Sequence, residues 1–181
     1  MRVLAISGSV RQGSYNTALL RAAAKCSSDV EFVFWGGLTD IPPYDEDLDS
    51  VATPASVASF REEIDRSDAV LIATPEYNGS IPGALKNALD WASRPFATNV
   101  LRNKRVSVVG ASTGLFGALR AQAELRKVLT VIGADVLESG LSVFSAHEAF
   151  GVDGQLRDAG MGRALCAVVD DLAGRSMDRA A

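Results

Sequence analysis

Short, nearly unbroken apolar runs alternate along this chain with longer stretches in which apolar residues return every three or four positions. Val3-Leu4-Ala5-Ile6, Val30-Glu31-Phe32-Val33-Phe34-Trp35, Ala69-Val70-Leu71-Ile72-Ala73-Thr74 and Arg105-Val106-Ser107-Val108-Val109 are rich in β-branched, aromatic and other apolar residues. Runs of that length without strict polar alternation are typical of strands covered on both faces. A fifth strand is expected near Val136-Leu137 and Ser142-Val143. Helical spacing marks residues 17–24, 54–67 (Val57, Phe60 and Ile64 on one stripe), 82–91, 118–131 and 156–172. The resulting order, strand then helix five times over, predicts an α/β fold: a doubly wound five-stranded parallel sheet with helices on both faces. The 181 residues are read as one domain spanning 1–181, with no internal repeat.

In such a sheet, ligands bind beyond the carboxyl ends of the strands, where the strand order reverses. Three polar, glycine-containing loops follow strands here. The first, Ser7-Gly8-Ser9-Val10-Arg11-Gln12-Gly13-Ser14-Tyr15-Asn16, reads as an anion cradle in which Gly8 and Gly13 permit a tight turn and a helix N-terminus faces the ligand. Ser14-Tyr15 stands where a nucleoside-triphosphate loop needs Lys-Ser/Thr, and Val10 takes the second glycine position of a dinucleotide fingerprint. What fits is one terminal monophosphate, balanced by Arg11 and the helix dipole without a metal. A cradle closed by Arg11 and Ser14 is expected to disfavour a ligand whose phosphate continues into a pyrophosphate. The alternative, an ordinary turn and N-cap, explains one serine but not three hydroxyl residues, an amide and an arginine together.

The second loop is residues 75–83, and the third is 110–117. Residues 38–54, with prolines at 42, 43 and 54 and acids at 45, 46, 47 and 49, read as an extended solvated loop, and Tyr44 within it is a candidate for the pocket border.

Composition narrows the function. A net charge of −4 and no clustered Lys/Arg stripe argue against nucleic acid as a partner, and no apolar stretch has the length of a membrane span. The first strand begins at once after Met1, which leaves no room for a signal peptide and predicts a cytoplasmic protein. Cys26 and Cys166 lie far apart with no C-x-x-C pattern and are expected as reduced thiols rather than a disulfide or metal site. His147, the one histidine, is read as structural.

Taken together, the loops resemble the NADPH-dependent FMN reductase family, a flavodoxin-like group of flavin, quinone, chromate and azo-dye reductases. The resemblance spans roughly residues 2–145. It rests on Gly8-Ser9-x-Arg11-x-x-Ser14-x-Asn16, on Pro75-Glu76-Tyr77-Asn78-x-Ser80-x-Pro82-Gly83-x-Leu85-Lys86-Asn87-x-x-Asp90-Trp91, and on Ser112-Thr113-Gly114-x-x-Gly117-x-x-Arg120-Ala121-Gln122. It implies that Ser9, Arg11, Ser14 and Asn16, with the adjoining Tyr15 and Thr17, hold the FMN phosphate. Pro75, Glu76, Tyr77, Asn78 and Gly79 would wrap the isoalloxazine, and Ser112, Thr113 and Gly114 would line its other edge.

The resemblance further implies FMN and NADPH as cofactors, a small-molecule electron acceptor, and a homodimer or homotetramer. Loops of Gly, Pro, Asn and Ser suit a flavin ring, whose pyrimidine edge is recognised by backbone groups. Hydride chemistry belongs to the cofactor, so no catalytic side chain is assigned. Leu85, Ala88, Leu89 and Trp91 read as core or subunit contact rather than cofactor contact, and their spread beyond one buried stripe suggests a symmetric subunit contact. Lys86, Arg120 and Arg126 read as solvated helix charges, with a partner subunit or the NADPH phosphates as the alternative. A non-enzymatic electron carrier or flavin-dependent interaction module on the same fold is the reading of a different class. Against it, the first loop lacks the Thr-rich pattern expected of flavodoxins.

Overall fold

Five parallel strands, β1 (Arg2–Ser7), β2 (Glu31–Trp35), β3 (Ala69–Thr74), β4 (Arg105–Ala111) and β5 (Asp135–Val143), form one sheet in the order β2-β1-β3-β4-β5. The computed structural model describes residues 1–175, the side chains of residues 50 and 51 excepted, so the end of the 1–181 domain reading lies outside the described residues. Helices α1 (Tyr15–Ala23), α2 (Glu46–Val51), α3 (Ala55–Asp65), α4 (Gly83–Ala92), α5 (Leu119–Ile132), α6 (Ala146–Ala149) and α7 (Ala159–Leu172) connect or follow the strands.

Period-two alternation splits the central strands between two cores. Leu4, Ile6, Val70, Ile72, Val106 and Val108 point to the face covered by α3, α4 and α5, while Val3, Ala5, Ala69, Leu71 and Val109 point to the face covered by α1 and α7. Both faces of β1, β3 and β4 are therefore apolar, which is why these strands read as unbroken hydrophobic runs.

The structure corrects five sequence expectations. Residues 38–54 are not one extended loop. A 3₁₀ turn at Gly37–Asp40 and helix α2 interrupt them, and α2 starts where the Asp45 side chain accepts the Asp47 N–H at 2.9 Å. Asp49, expected in a solvated face, pairs with Arg61 at 2.8 Å.

Tyr44 lies away from the strand ends, edge-on to Trp91 with ring centres 4.9 Å apart. It is held there because Asn87 accepts the Tyr44 N–H at 2.8 Å, while Asn87 Nδ2 and Trp91 Nε1 each donate to Pro42 O at 2.8 Å. Asn87 and Trp91 thus anchor the 42–44 segment.

The breadth of the apolar surface on α4 has an intramolecular cause. Leu85, Ala88, Leu89 and Trp91 are all buried within the monomer, because this short helix packs on the sheet, on α3 and on the 3₁₀ turn together.

Arg126 is not a solvated charge. Its guanidinium donates to the carbonyls of Leu137, Val108 and Ser139, filling the irregularity in the β4–β5 pairing between Val106 and Val108. Burial lowers its pKa from the ordinary arginine value.

Finally, Cys26 and Cys166 are joined in a disulfide, with their Cα atoms 5.1 Å apart across a sequence separation of 140. The strand order puts the first and last helices side by side on one face, a proximity that the spacing of the two cysteines conceals.

Candidate active site

The strand order reverses between β1 and β3, and the loops after β1, β3 and β4 meet there around a cavity of about 270 Å³. Ser9, Arg11, Ser14, Tyr15 and Asn16 line it from the first loop, Pro75, Glu76 and Tyr77 from the second, and Ala111, Ser112 and Thr113 from the third.

The first loop is drawn in tightly. Gly8 N donates to Ala73 O at 2.8 Å, and a Cβ at Gly8 would lie 3.0 Å from Leu85 Cδ2 and 3.3 Å from Pro75 Cδ. Close packing of the loop against β3 and α4 is thus what requires Gly8. It does not adopt a left-handed turn, and neither does Gly13, whose surroundings are open.

Ser14 then caps α1, its Oγ accepting the Thr17 N–H at 3.2 Å. The Tyr15 and Asn16 N–H groups have no acceptor inside the helix and remain available to an anion. Arg11 sits over the Tyr15 ring, 5.3 Å from its centre, and Tyr15 in turn stacks on Phe150. No carboxylate pairs with Arg11 among the described residues. This donor set suits a phosphate monoester: an unpaired guanidinium, a serine hydroxyl with its proton free, and two exposed N–H groups.

The side chains of two predicted phosphate contacts are engaged within the protein. Asn16 is buried, its Nδ2 donating to Ala111 O at 3.0 Å while its Oδ1 accepts the Ala111 N–H at 2.9 Å. Thr17 turns away from the cavity, its hydroxyl donating to Ser7 Oγ at 3.0 Å. Both residues shape the cradle by fixing α1 and the start of the loop.

Glu76 explains how an acid can line an anion site. Its Oε2 accepts the N–H groups of Arg120 at 3.0 Å and Ala121 at 3.2 Å, so the carboxylate faces the positive end of α5. The residue at the local cap, Ala118, offers no side-chain acceptor, and Glu76 supplies one from a distant loop.

Beyond Glu76 the chain reverses through Asn78 (φ 54°) and Gly79 (φ 78°), closed by reciprocal Tyr77–Ser80 backbone bonds of 3.0 and 3.1 Å. This turn projects Tyr77 at the rim, 52% exposed. Asn78 and Gly79 form its apex rather than the cavity wall. Gly114 also lies off the wall, its N–H donating to Ser112 Oγ at 3.1 Å. The apolar side chains of Leu115, Phe116 and Leu119 are exposed in the neighbouring segment.

Ala111 is the wall residue that sequence reading missed. It closes the cavity through its backbone, and an alanine at a strand end carries no signal for that role. The cradle is also not closed at Arg11, because Ser9 and Arg11 line a second cavity of about 520 Å³ between α1 and the end of β2.

Residues 1–149 match the NADPH-dependent FMN reductase family. An NAD(P)H-dependent FMN reductase of Pseudomonas aeruginosa is 42% identical over 159 residues, covering 87% of this chain and 85% of that protein. A 2-hydroxy-1,4-benzoquinone reductase of Burkholderia sp. is 38% identical, covering 84% of this chain and 82% of the other. The solved structure of FerB, a flavoenzyme NAD(P)H:(acceptor) oxidoreductase from Paracoccus denitrificans, superposes with a TM-score of 0.87 at 36% identity, covering 97% of this chain and 96% of that one. The family match over residues 1–149, these relatives and the flavodoxin-like sheet lead to one assignment: the chain belongs to the NADPH-dependent FMN reductase family and is an NAD(P)H-linked FMN oxidoreductase.

Proposed function

We propose that this chain reduces a small quinone-type acceptor at the expense of NADPH, preferred over NADH, through FMN seated in the three-loop cavity. The observation that carries the reading is the unpaired Arg11 beside the open N-terminus of α1, at the carboxyl ends of the strands. Ser9, Arg11, Ser14 and the Tyr15 and Asn16 N–H groups would hold the phosphate. The 75–79 and 112–114 loops would border the ring. FMN, when bound, supplies the hydride chemistry. The chain's own task is orientation: Pro75 is buried beside the cavity, and Asn16 and Glu76 hold the three loops in register.

A quinone is favoured among small acceptors by the activity named for the Burkholderia relative. The exposed, flat Tyr77 at the rim suits a planar acceptor as well. The same rim supports a homodimer or homotetramer. Tyr77, Leu115, Phe116 and Leu119 are exposed apolar residues, whereas those of α4 are spent inside the monomer. Among the described residues no helix is long and apolar enough to cross a membrane, and a cytoplasmic location is where NADPH is supplied.

Anaerobic stopped-flow mixing of FMN-loaded protein with NADPH and with NADH tests the reading. The flavin absorbance should bleach without any added reductase, faster with NADPH, and reoxidise most rapidly with a benzoquinone among quinones, flavins, azo dyes and metal oxyanions. No bleaching with either donor would overturn it. Sedimentation at micromolar concentration tests the assembly.

A further inference from the structure

Arg11, Arg21 and Lys25 line three cavities that adjoin through shared residues. Arg11 lines both the FMN-side cavity and the cavity of about 520 Å³ between α1 and β2. Arg21 and Phe34 line that second cavity and also a third, of about 550 Å³, which reaches Lys25. Among the described residues no ion pair engages Arg11, Arg21 or Lys25. No carboxylate among the described residues lines the second cavity. Asp153 is the acid on the third, where its Oδ1 accepts the Gln155 N–H.

Cations near a helix C-terminus have a structural use, and Arg21 and Lys25 complement the α1 dipole. Arg11, at the opposite end of the helix, belongs to the FMN-side cavity and also borders the groove. The dipole does not account for Phe34, a phenylalanine 46% exposed on the edge strand β2. An aromatic face set among unpaired guanidinium groups, in a depression within the usual ligand-site range of about 300–1,000 Å³, has the chemistry for a base stacked next to its phosphate.

We propose that the groove between α1 and β2 binds an adenine nucleotide, its phosphate on Arg11 and Arg21 and its base against Phe34. Because Ser9 and Arg11 are common to the groove and the cradle, the adenylate half of FAD can continue from one into the other. A free adenine nucleotide can occupy the groove beside bound FMN. The FAD route rests on the FMN-cradle assignment, and the free-nucleotide route does not.

Two titrations test this and separate the sources. FAD and FMN are titrated into FMN-stripped protein, and 5′-AMP into FMN-loaded protein by calorimetry, each with wild type, Arg21→Gln and Phe34→Ala. Groove binding predicts that 5′-AMP binds the loaded wild type and is weakened about tenfold by Arg21→Gln, one lost charge-assisted bond being worth roughly that factor. It also predicts that FAD binds wild type within about tenfold of FMN, and that both substitutions weaken FAD but leave FMN unchanged. Both residues lie outside the FMN cavity, so unchanged FMN affinity also reports intact folding. AMP binding with strongly disfavoured FAD restricts the groove to free nucleotides and overturns the dinucleotide route. No AMP binding, together with FAD affinity indifferent to Arg21→Gln and Phe34→Ala, overturns the proposal while leaving the FMN cradle intact.

Discussion

Asn16 and Ala111 exchange two hydrogen bonds, the asparagine amide reading both the N–H (2.9 Å) and the C=O (3.0 Å) of a residue 95 positions away. This pair pins the first turn of α1 to the end of β4 and so sets the width of the cavity between the first and third loops. Replacing Asn16 by Ala strands a buried N–H and a buried carbonyl, each costing about 1–3 kcal/mol. Urea denaturation of FMN-free Asn16→Ala should show a loss of about 2–4 kcal/mol, and Asn16→Asp, whose carboxylate opposes the Ala111 carbonyl, a larger one. Unchanged stability with lost FMN affinity would instead make Asn16 a phosphate ligand.

Arg11 is the cradle's one full positive charge. Arg11→Ala should weaken FMN by about 1.5–3 kcal/mol, roughly 10- to 150-fold, and leave riboflavin, which lacks the phosphate, unaffected. Fluorescence titration with both flavins measures the difference. Equal losses for the two would place Arg11 against the ring and not the phosphate.

Glu76 caps a helix from outside that helix, so its effect should appear in α5. Glu76→Ala removes the acceptor for the Arg120 and Ala121 N–H groups and a favourable charge at the dipole. The expected cost is about 1–2 kcal/mol, with faster amide exchange in the first turn of α5. Protection unchanged there would remove the capping role.

The Cys26–Cys166 bridge closes a loop of some 140 residues between α1 and α7. Thiol titration of denatured, unreduced protein should find no free cysteine, and Cys26→Ser should lower stability by about 2–4 kcal/mol. Two titratable thiols would instead match the reduced pair that the spacing suggested.

Arg126 fills the β4–β5 irregularity with a guanidinium bound to three carbonyls. Arg126→Met keeps much of the volume but leaves those acceptors bare, and a loss of about 2–4 kcal/mol is expected in thermal or urea unfolding. A neutral outcome would mean that water replaces the guanidinium.

The sequence by itself determined the sheet, because β1, β3 and β4 are buried on both faces and such strands must be continuously apolar. It also determined where the loops gather, since strand–helix alternation leaves the carboxyl ends of parallel strands on one side. The Ser-rich and Arg-bearing composition of the first loop makes it a candidate anion site for a local reason: helix N-terminal amides and a guanidinium need no distant partner to act together.

What only the tertiary structure decided are the assignments that depend on who sits opposite. Asn16 was legible as a polar residue at a helix start, but whether it faced a phosphate or Ala111 depended on β4. Glu76 belonged visibly to the second loop, yet its partners are on α5. Leu85 and Trp91 were plainly apolar, and burial inside one subunit rather than between two followed from the packing of α3 and the 3₁₀ turn. Cys26 and Cys166, at opposite ends of the chain, meet because parallel winding lays α7 against α1. Local pattern encodes period and propensity. Long-range pairing is set by strand order, which no single segment carries.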